Sequence, residues 1–278
     1  RGLGDVYKRQ LLISVIFKLL SLSFTKKDVS FDNLSEGEKL SNSLASMGTT
    51  FIKLGQFLAT RPDIIGDKLS KELENLQDKL PPFSQSKAKE MIKKDLGDKL
   101  YNSIINISEP VAAASIAQVH KAQINDNGTI KDVAIKILRP EIKKIFNDEI
   151  DALMFFAFIL ESIIKKTKRL KLVEVTFLLK QITNHEMDLR FEAAAANEYA
   201  ENTKNDIGFK VPNIYWNFTS ENVMTLDWID GNSIRETELL ESQNIDTGKI
   251  ATDIIQHFLR HAVRDGFFMQ ICTKGIFL

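Results

Sequence analysis

One lysine and three carboxylates define the chemistry open to this chain. Lys136 ends the run "VAIK" (Val133–Lys136), part of an alternating apolar segment. A lysine on such a strand points to one face, where its ammonium can hold the α- and β-phosphates of a nucleotide. Downstream, "HEMDLRFEA" carries Glu186, Asp188 and Glu192. Asp188 and Glu192 are four residues apart and share one face of a helix, and Glu186 lies half a turn before Asp188. A phosphoryl-transfer site needs a strand lysine tethered by a helix carboxylate, so that the ammonium stays aimed at the phosphates. Lys136 and Glu192 come in that order on those element types. Taken singly, each also fits an ordinary surface, because lysines and acidic residues mostly face solvent.

Two further segments could complete such a site. "EPVAAASIAQVHKA" (109–122) is a turn of small residues leading into a strand. Small side chains at Ala112, Ala113, Ala114 and Ser115 would let backbone N–H groups close over a phosphate, and they equally suit a tightly packed bend. "VMTLDWIDG" (223–231) is a strand that runs out into a turn. The backbone around Met224, Asp227 and Trp228 could read the edge of an adenine, or simply leave the sheet.

The elements that must position these residues follow from periodicity. Ser35 and Glu38 spell a capping box, the Ser35 hydroxyl taking a helix N–H while Glu38 reaches back. Leu40, Leu44, Met47, Phe51, Leu54 and Leu58 recur at threes and fours, an amphipathic spacing that Pro62 ends. Leu69, Leu73 and Leu76 mark a second helix, and Ser84 caps a third that reaches about Leu96, with Gly97 behind it. Residues 35–97 therefore read as helical. "SIAQVHKAQI" and "KDVAIKIL" then alternate as strands around the hairpin signal Asn127-Gly128. Pro140 suits the first turn of a helix that runs to about Lys166. About Val173–Asn202 reads as one long helix, rich in alanine. "FKVPNIYWNF" and "ENVMTLDWI" read as strands and Asp230-Gly231-Asn232 as a turn. Residues 247–268 read as a helix with Ile250, Ile254, Phe258 and Ala262 on one face. Helices, a hairpin, long helices, two strands and a helix make an α+β chain, not the regular alternation of a doubly wound sheet.

Composition narrows the function classes. Lys+Arg and Asp+Glu both number 37, so no net charge draws the chain to nucleic acid. One cysteine excludes an internal disulfide and fits a reducing compartment. "ALMFFAFIL" (152–160) is too short for a bilayer span, which takes about 20 residues. "LLISVIFKLLSLSF" holds a lysine and lacks a small-residue cleavage site, so it does not read as a signal peptide. There is no Gly-x-Gly-x-x-Gly fingerprint and no metal-ligand cluster in the sequence, which argues against a hydroxylase. "RGLGDVYKRQ" (1–10) has no period and resembles translated sequencing adapter, so it is set aside from the fold.

Four motifs in order resemble those of the UbiB-type atypical kinases, a protein-kinase-like branch tied to ubiquinone biosynthesis. "KLGQ" (Lys53–Gln56) is similar to the family's Lys-x-Gly-Gln signature. "AAAS" (Ala112–Ser115) resembles its alanine-rich loop, "VAIK" supplies the nucleotide-contacting lysine, and "EMDLRFEA" resembles its Glu-x-Asp motif with the helix glutamate Glu192 behind it. The resemblance covers about residues 31–268. It implies Lys136 and Glu192 in catalysis, with Ala112, Ala113, Ala114, Ser115, Lys136, Met224, Asp227 and Trp228 on the nucleotide. It also implies that the helices bearing Lys53 and Gln56 cover the cleft, with Lys53 near Glu186 and Asp188. The cofactors implied are ATP and Mg²⁺, the metal ligands lying beyond this stretch. The partners implied are a lipid precursor of ubiquinone or its biosynthetic enzymes, with a membrane surface nearby and no nucleic acid. The protein is expected in the cytoplasm, peripheral to the inner membrane. The domains expected are a helical extension (11–100), a kinase-like N-terminal lobe (101–230) and the start of a C-terminal lobe (231–268).

The last segment, "MQICTKGIFL" (269–278), breaks the pattern. The family writes His-Ala-Asp-x-His-x-Gly-Asn there, supplying the catalytic aspartate and a metal-holding asparagine. One extra T in the codons for Phe267 and Phe268 turns the following letters into His-Ala-Asp-Met-His-Gln-Gly-Asn-Phe with allowed third-base choices. The stretch reads as a shifted frame, so Cys272 carries no meaning and this copy is expected to lack phosphotransfer. A competing reading is a nucleotide-responsive scaffold that binds a lipid or partners without chemistry.

Overall fold

The computed structural model describes residues 35–74, 76, 80–164, 167–231, 234, 237–243 and 245–266. The adapter-like start and the tail from 267 lie outside them. The described chain forms two compact units. One comprises the described part of Arg1–Pro81 with Ala113–Ala117 and Arg139–Met187; the other comprises Pro82–Ala112, Gln118–Leu138 and the described part of Asp188–Leu278.

The first unit is helical. Helix α1 (Glu36–Met47) opens on the expected capping box, with Ser35 Oγ accepting from Glu38 N and Glu38 accepting from Ser35 N. Gly48, at φ 111°, separates it from α2 (Thr49–Ala59). The second helix ends before Pro62, which opens a short helix α3 (Pro62–Ile65), and α4 (Asp67–Leu73) follows. Leu40, Leu44, Leu69 and Leu73 form the core of these helices, with Phe51, Leu58 and Ile65 against it. Helices α6 (Ile142–Ile163) and α7 (Leu172–Glu186) pack on each other as a hairpin, and both touch α2. The start of α6 differs from expectation: Glu141 adopts φ 56° and the helix begins at Ile142, so Pro140 lies outside its first turn.

The second unit is a sheet backed by a helix. Helix α5 (Gln85–Tyr101) is capped by Ser84, whose Oγ accepts from Lys87 N. Gly97 breaks its regularity at φ 78°, after which one further turn reaches Tyr101. The sheet runs β1 (Ile104–Ile105), β3 (Ala117–Asp126), β4 (Thr129–Leu138), β5 (Val223–Asp227), with β2 (Pro110–Ala113) paired on β3. The β3–β4 turn has φ 53° at Asn127 and 90° at Gly128, the doubly positive conformation that Asn-Gly supplies cheaply. Ala88 and Ile92 of α5 bury against Ala122, Ile124, Val133, Ile135, Ile137 and Val223.

"FKVPNIYWNF" is not a strand. Only Ile214 bridges to Leu226, and Trp216–Phe218 form a 3₁₀ turn. Pro212 brings no N–H to a ladder, and the turn seats Phe218 in the core at 5% exposure. Helix α8 (Leu189–Thr203), a short α9 (Thr237–Ser242) and α10 (Thr247–Arg260) complete the unit. The expected helix through 268 instead gives way to a π turn at His261–Asp265. Among the described residues no helix is long and apolar enough to cross a membrane.

Candidate functional site

Strand alternation aims Lys136. Val133, Ile135 and Ile137 are fully buried against α5, so Lys136 projects from the other face of β4. Its cross-strand neighbour is Met224 on β5, itself 4% exposed. On that face Lys136 Nζ lies 2.7 Å from both carboxylate oxygens of Glu192. The two residues are far apart in sequence, and the fold alone joins them. A symmetric grip by two oxygens fixes the ammonium's direction while the half-exposed carboxylate stays solvated.

Glu192 reaches Lys136 because α8 starts where it does. The long helix read over Val173–Asn202 is in fact two, α7 and α8, broken at Met187-Asp188. Asp188 leaves the helical region (φ −125°, ψ 99°) and its carboxylate accepts from Arg190 N. Leu189 N donates to Glu221 O at 3.0 Å, and Leu189 is fully buried. These tertiary anchors override high local helix propensity. Asp188 and Glu192 therefore do not share a continuous helical face. Asp188 is an N-cap, also paired with Arg190 at 2.7 Å, and Glu192 lies in the first turn.

Glu186 belongs to the first unit. Lys53 Nζ on α2 approaches its Oε2 to 2.7 Å, an ion pair without hydrogen-bond alignment. Lys53 is the more buried partner, at 15% side-chain exposure against 39%. Gln56, one turn on, is half-buried. The glycine between them has a packing reason: a Cβ on Gly55 would lie 2.5 Å from Leu76 Cδ2 and 2.9 Å from Leu44 Cδ1.

The alanine-rich bend is closed by its own bonds. Ala112 is exposed, Ala113 and Ala114 half-buried, and Ser115 fully buried with its carbonyl accepting from Thr49 Oγ1. Ala114 N donates to Ala117 O at 2.8 Å, so that amide is already committed. Sequence reasoning missed Arg139. Its guanidinium donates to the carbonyls of Ala114, Pro81 and Leu80, and its N–H to Ile116 O. A lone arginine between a strand and a proline was the available signal.

The connector after β5 is also more tightly held than expected. Asp227 N donates to Asn213 O and Trp228 N to Asp132 O, so neither amide is open to an adenine edge. The Asp227 carboxylate accepts from Tyr215 Oη and from Asn213. Burial pushes its pKa up, but those donors outweigh burial and hold it below the usual carboxylate value. Trp228 Nε1 donates to Asp230, and Lys121 lies over the indole ring at 4.8 Å.

The fold also assembles a His/Asp group invisible in the sequence. Candidate ligand atoms of Asp206, His257 and His261 lie within 4.8 Å of one another. A cation there would compete with guanidinium: Arg264 Nη1 and Nη2 reach the Asp206 carboxylate at 2.8 and 2.9 Å. The Arg264 hydrogen bonds, against the cost of burial and with help from His261, hold Asp206 well below the ordinary carboxylate range.

Acid should weaken the second unit in two stages. Burial holds His120 below its usual pKa despite the bond to Ser108, so its neutral form contributes stability above about pH 6.5 that fades as pH falls. Asp227 and Asp206, with depressed values, lose their contribution only below about pH 4. Urea midpoints at pH 7.5, 5.5 and 3.5 should fall at each step; a rise on acidification contradicts this.

The ABC1 atypical kinase-like domain matches residues 75–270. The chain is 34% identical over 236 residues to a protein of Marinobacter nauticus named "Probable protein kinase UbiB", covering 84% of this chain and 43% of that protein. Proteins of the same name from Pseudomonas paraeruginosa and Cellvibrio japonicus are 33% identical over 236 residues, again 84% of this chain, and 44% and 42% of theirs. The chain thus spans less than half the length of these relatives. With its helix-and-sheet architecture it has an α+β, kinase-like fold, and it belongs to the UbiB-type family of ABC1 atypical kinase-like proteins.

Proposed function

We propose that this chain is the nucleotide-handling part of an ATP-dependent atypical kinase or ATPase that supports ubiquinone biosynthesis. The single observation that carries the reading is the Lys136–Glu192 pair, a strand lysine held at 2.7 Å by both oxygens of a helix carboxylate. In this reading Lys136 meets the α/β-phosphates and Glu192 orients it; a place for Ala112–Ser115 and for Met224, Asp227 and Trp228 on the nucleotide follows from the family resemblance alone, since the amides of Ala114, Asp227 and Trp228 are bonded to neighbouring carbonyls. Lys136 fits a triphosphate in kind. Mg²⁺, when bound, would neutralise phosphate charge; its ligands belong to sequence outside the described residues. The domains follow as 11–100 extension, 101–230 N-terminal lobe and 231–268 start of a C-terminal lobe. The lipid precursor or its enzymes, and a peripheral position at the inner membrane, follow from the same family reading.

Titration with a non-hydrolysable ATP analogue tests it. The chain as written should bind the analogue saturably yet release no phosphate from ATP, whereas a version with the frame restored after Phe268 should turn ATP over. Lys53→Ala should raise affinity between about 2- and 10-fold, if the Lys53–Glu186 pair holds a conformation that taxes nucleotide entry. Unchanged affinity in both Lys53→Ala and Ala112→Gly counts against roles for these segments.

A further inference from the structure

Helix α8 is gripped by polar contacts two turns apart. Glu192 is in its first turn and Tyr199 lies seven residues on, so the two share a face. Glu192 holds Lys136. The Tyr199 hydroxyl donates to His261 Nδ1 at 2.6 Å, and His261 Nε2 donates to Asp206 Oδ2 at 2.9 Å. A carboxylate can only accept, which places a proton on Nε2 and leaves Nδ1 to face the Tyr199 hydroxyl. His261 is fully buried, Tyr199 7% and Asp206 9% exposed. Arg264 binds both oxygens of Asp206 and donates to Asn202 O in the last turn of α8. Arg260 lies 3.5 Å from the same carboxylate. Phe209 fills the space between, with its ring 5.3 Å from Tyr199 and 4.9 Å from His261.

We propose that Tyr199, His261 and Asp206 are positioning residues: they lock the rotation and axial position of α8 so that Glu192 meets Lys136, linking the π turn after α10 to the nucleotide site. The inference rests on the nucleotide reading above. Apolar packing between helices tolerates sliding, whereas a chain of directional hydrogen bonds does not. A shift of about 1 Å would lengthen a 2.7 Å contact beyond hydrogen-bond range. The π turn, rare and concentrated at functional positions, delivers His261 and Arg264 together to one carboxylate.

The test uses the full chain, with amide hydrogen exchange at Leu189–Ala193 and titration with the ATP analogue. Tyr199→Phe, which keeps the ring, should speed exchange in that first turn and weaken the analogue between about 2- and 10-fold, the worth of one hydrogen bond. In a Glu192→Gln background the same change should weaken it no further, because both act through one contact. His261→Ala should behave like Tyr199→Phe, and His261→Gln, with one acceptor and one donor, should restore most of the loss. Effects that add in full to Glu192→Gln, or first-turn exchange unmoved by both Tyr199→Phe and His261→Ala, overturn the proposal. If the unaltered chain binds no analogue, the nucleotide reading fails, while first-turn exchange still decides whether the joint holds α8.

Discussion

Lys136→Met should raise the dissociation constant for an ATP analogue on the order of 10- to 100-fold while leaving the fold intact. The first half follows from the charge. A hydrogen bond from an ammonium to phosphate is worth about 1.5–3 kcal/mol, and methionine offers no donor. The second half follows from exposure. Lys136 is 20% and Glu192 38% exposed, so their pair is partly screened and its loss should cost on the order of 1 kcal/mol or less. Glu192 keeps water, and the methionine can lie along Met224, its cross-strand neighbour. Glu192→Gln should be milder, because the lysine keeps its charge and loses only orientation. Isothermal titration beside a thermal melt separates the two terms. Unchanged affinity in Lys136→Met removes the central support of the proposed function; a collapsed melt assigns the pair to the scaffold instead.

Ile92→Ala should have the largest effect on stability, about 2–5 kcal/mol. Ile92 is fully buried on α5, in the cluster with Ile124, Val133, Ile135 and Ile137. The strand that carries Lys136 forms the other wall of that cluster. A domain holds only about 5–15 kcal/mol in all, so much of the margin disappears. Urea denaturation should show an earlier midpoint with an unchanged slope. Ile92 is itself no candidate site residue and lies on the face of β4 opposite Lys136, so nucleotide affinity measured well below that midpoint should stay within about twofold of the unaltered chain. A midpoint unmoved by Ile92→Ala contradicts the packing described here.

How much was legible depended on the range of the interaction that decides each feature. The Ser35–Glu38 capping box, the Ser84 cap and the Asn127-Gly128 turn were readable because each is settled within a few residues. The alternation of β4 was readable for the same reason, and in the structure Lys136 leaves the face opposite Val133, Ile135 and Ile137. The break at Asp188 was not. High alanine content favoured one continuous helix, and the sequence holds no sign that Glu221 O would capture Leu189 N. The second strand suggested for 209–218 failed similarly, since burial of Phe218 rewarded a turn over a ladder.

By itself, then, the sequence determined most element types, the hairpin, the strand lysine and the candidate carboxylates, because periodicity and capping are local. Tertiary structure decided which carboxylate holds which cation. It gave Glu192 to Lys136, Glu186 to Lys53 and Asp188 to a helix cap. It also built the Tyr199–His261–Asp206 chain and spent the Asp227 and Trp228 amides on neighbouring carbonyls. Ion pairs and directional bonds between residues remote in sequence exist only once packing has fixed their distance, and no local pattern encodes that distance.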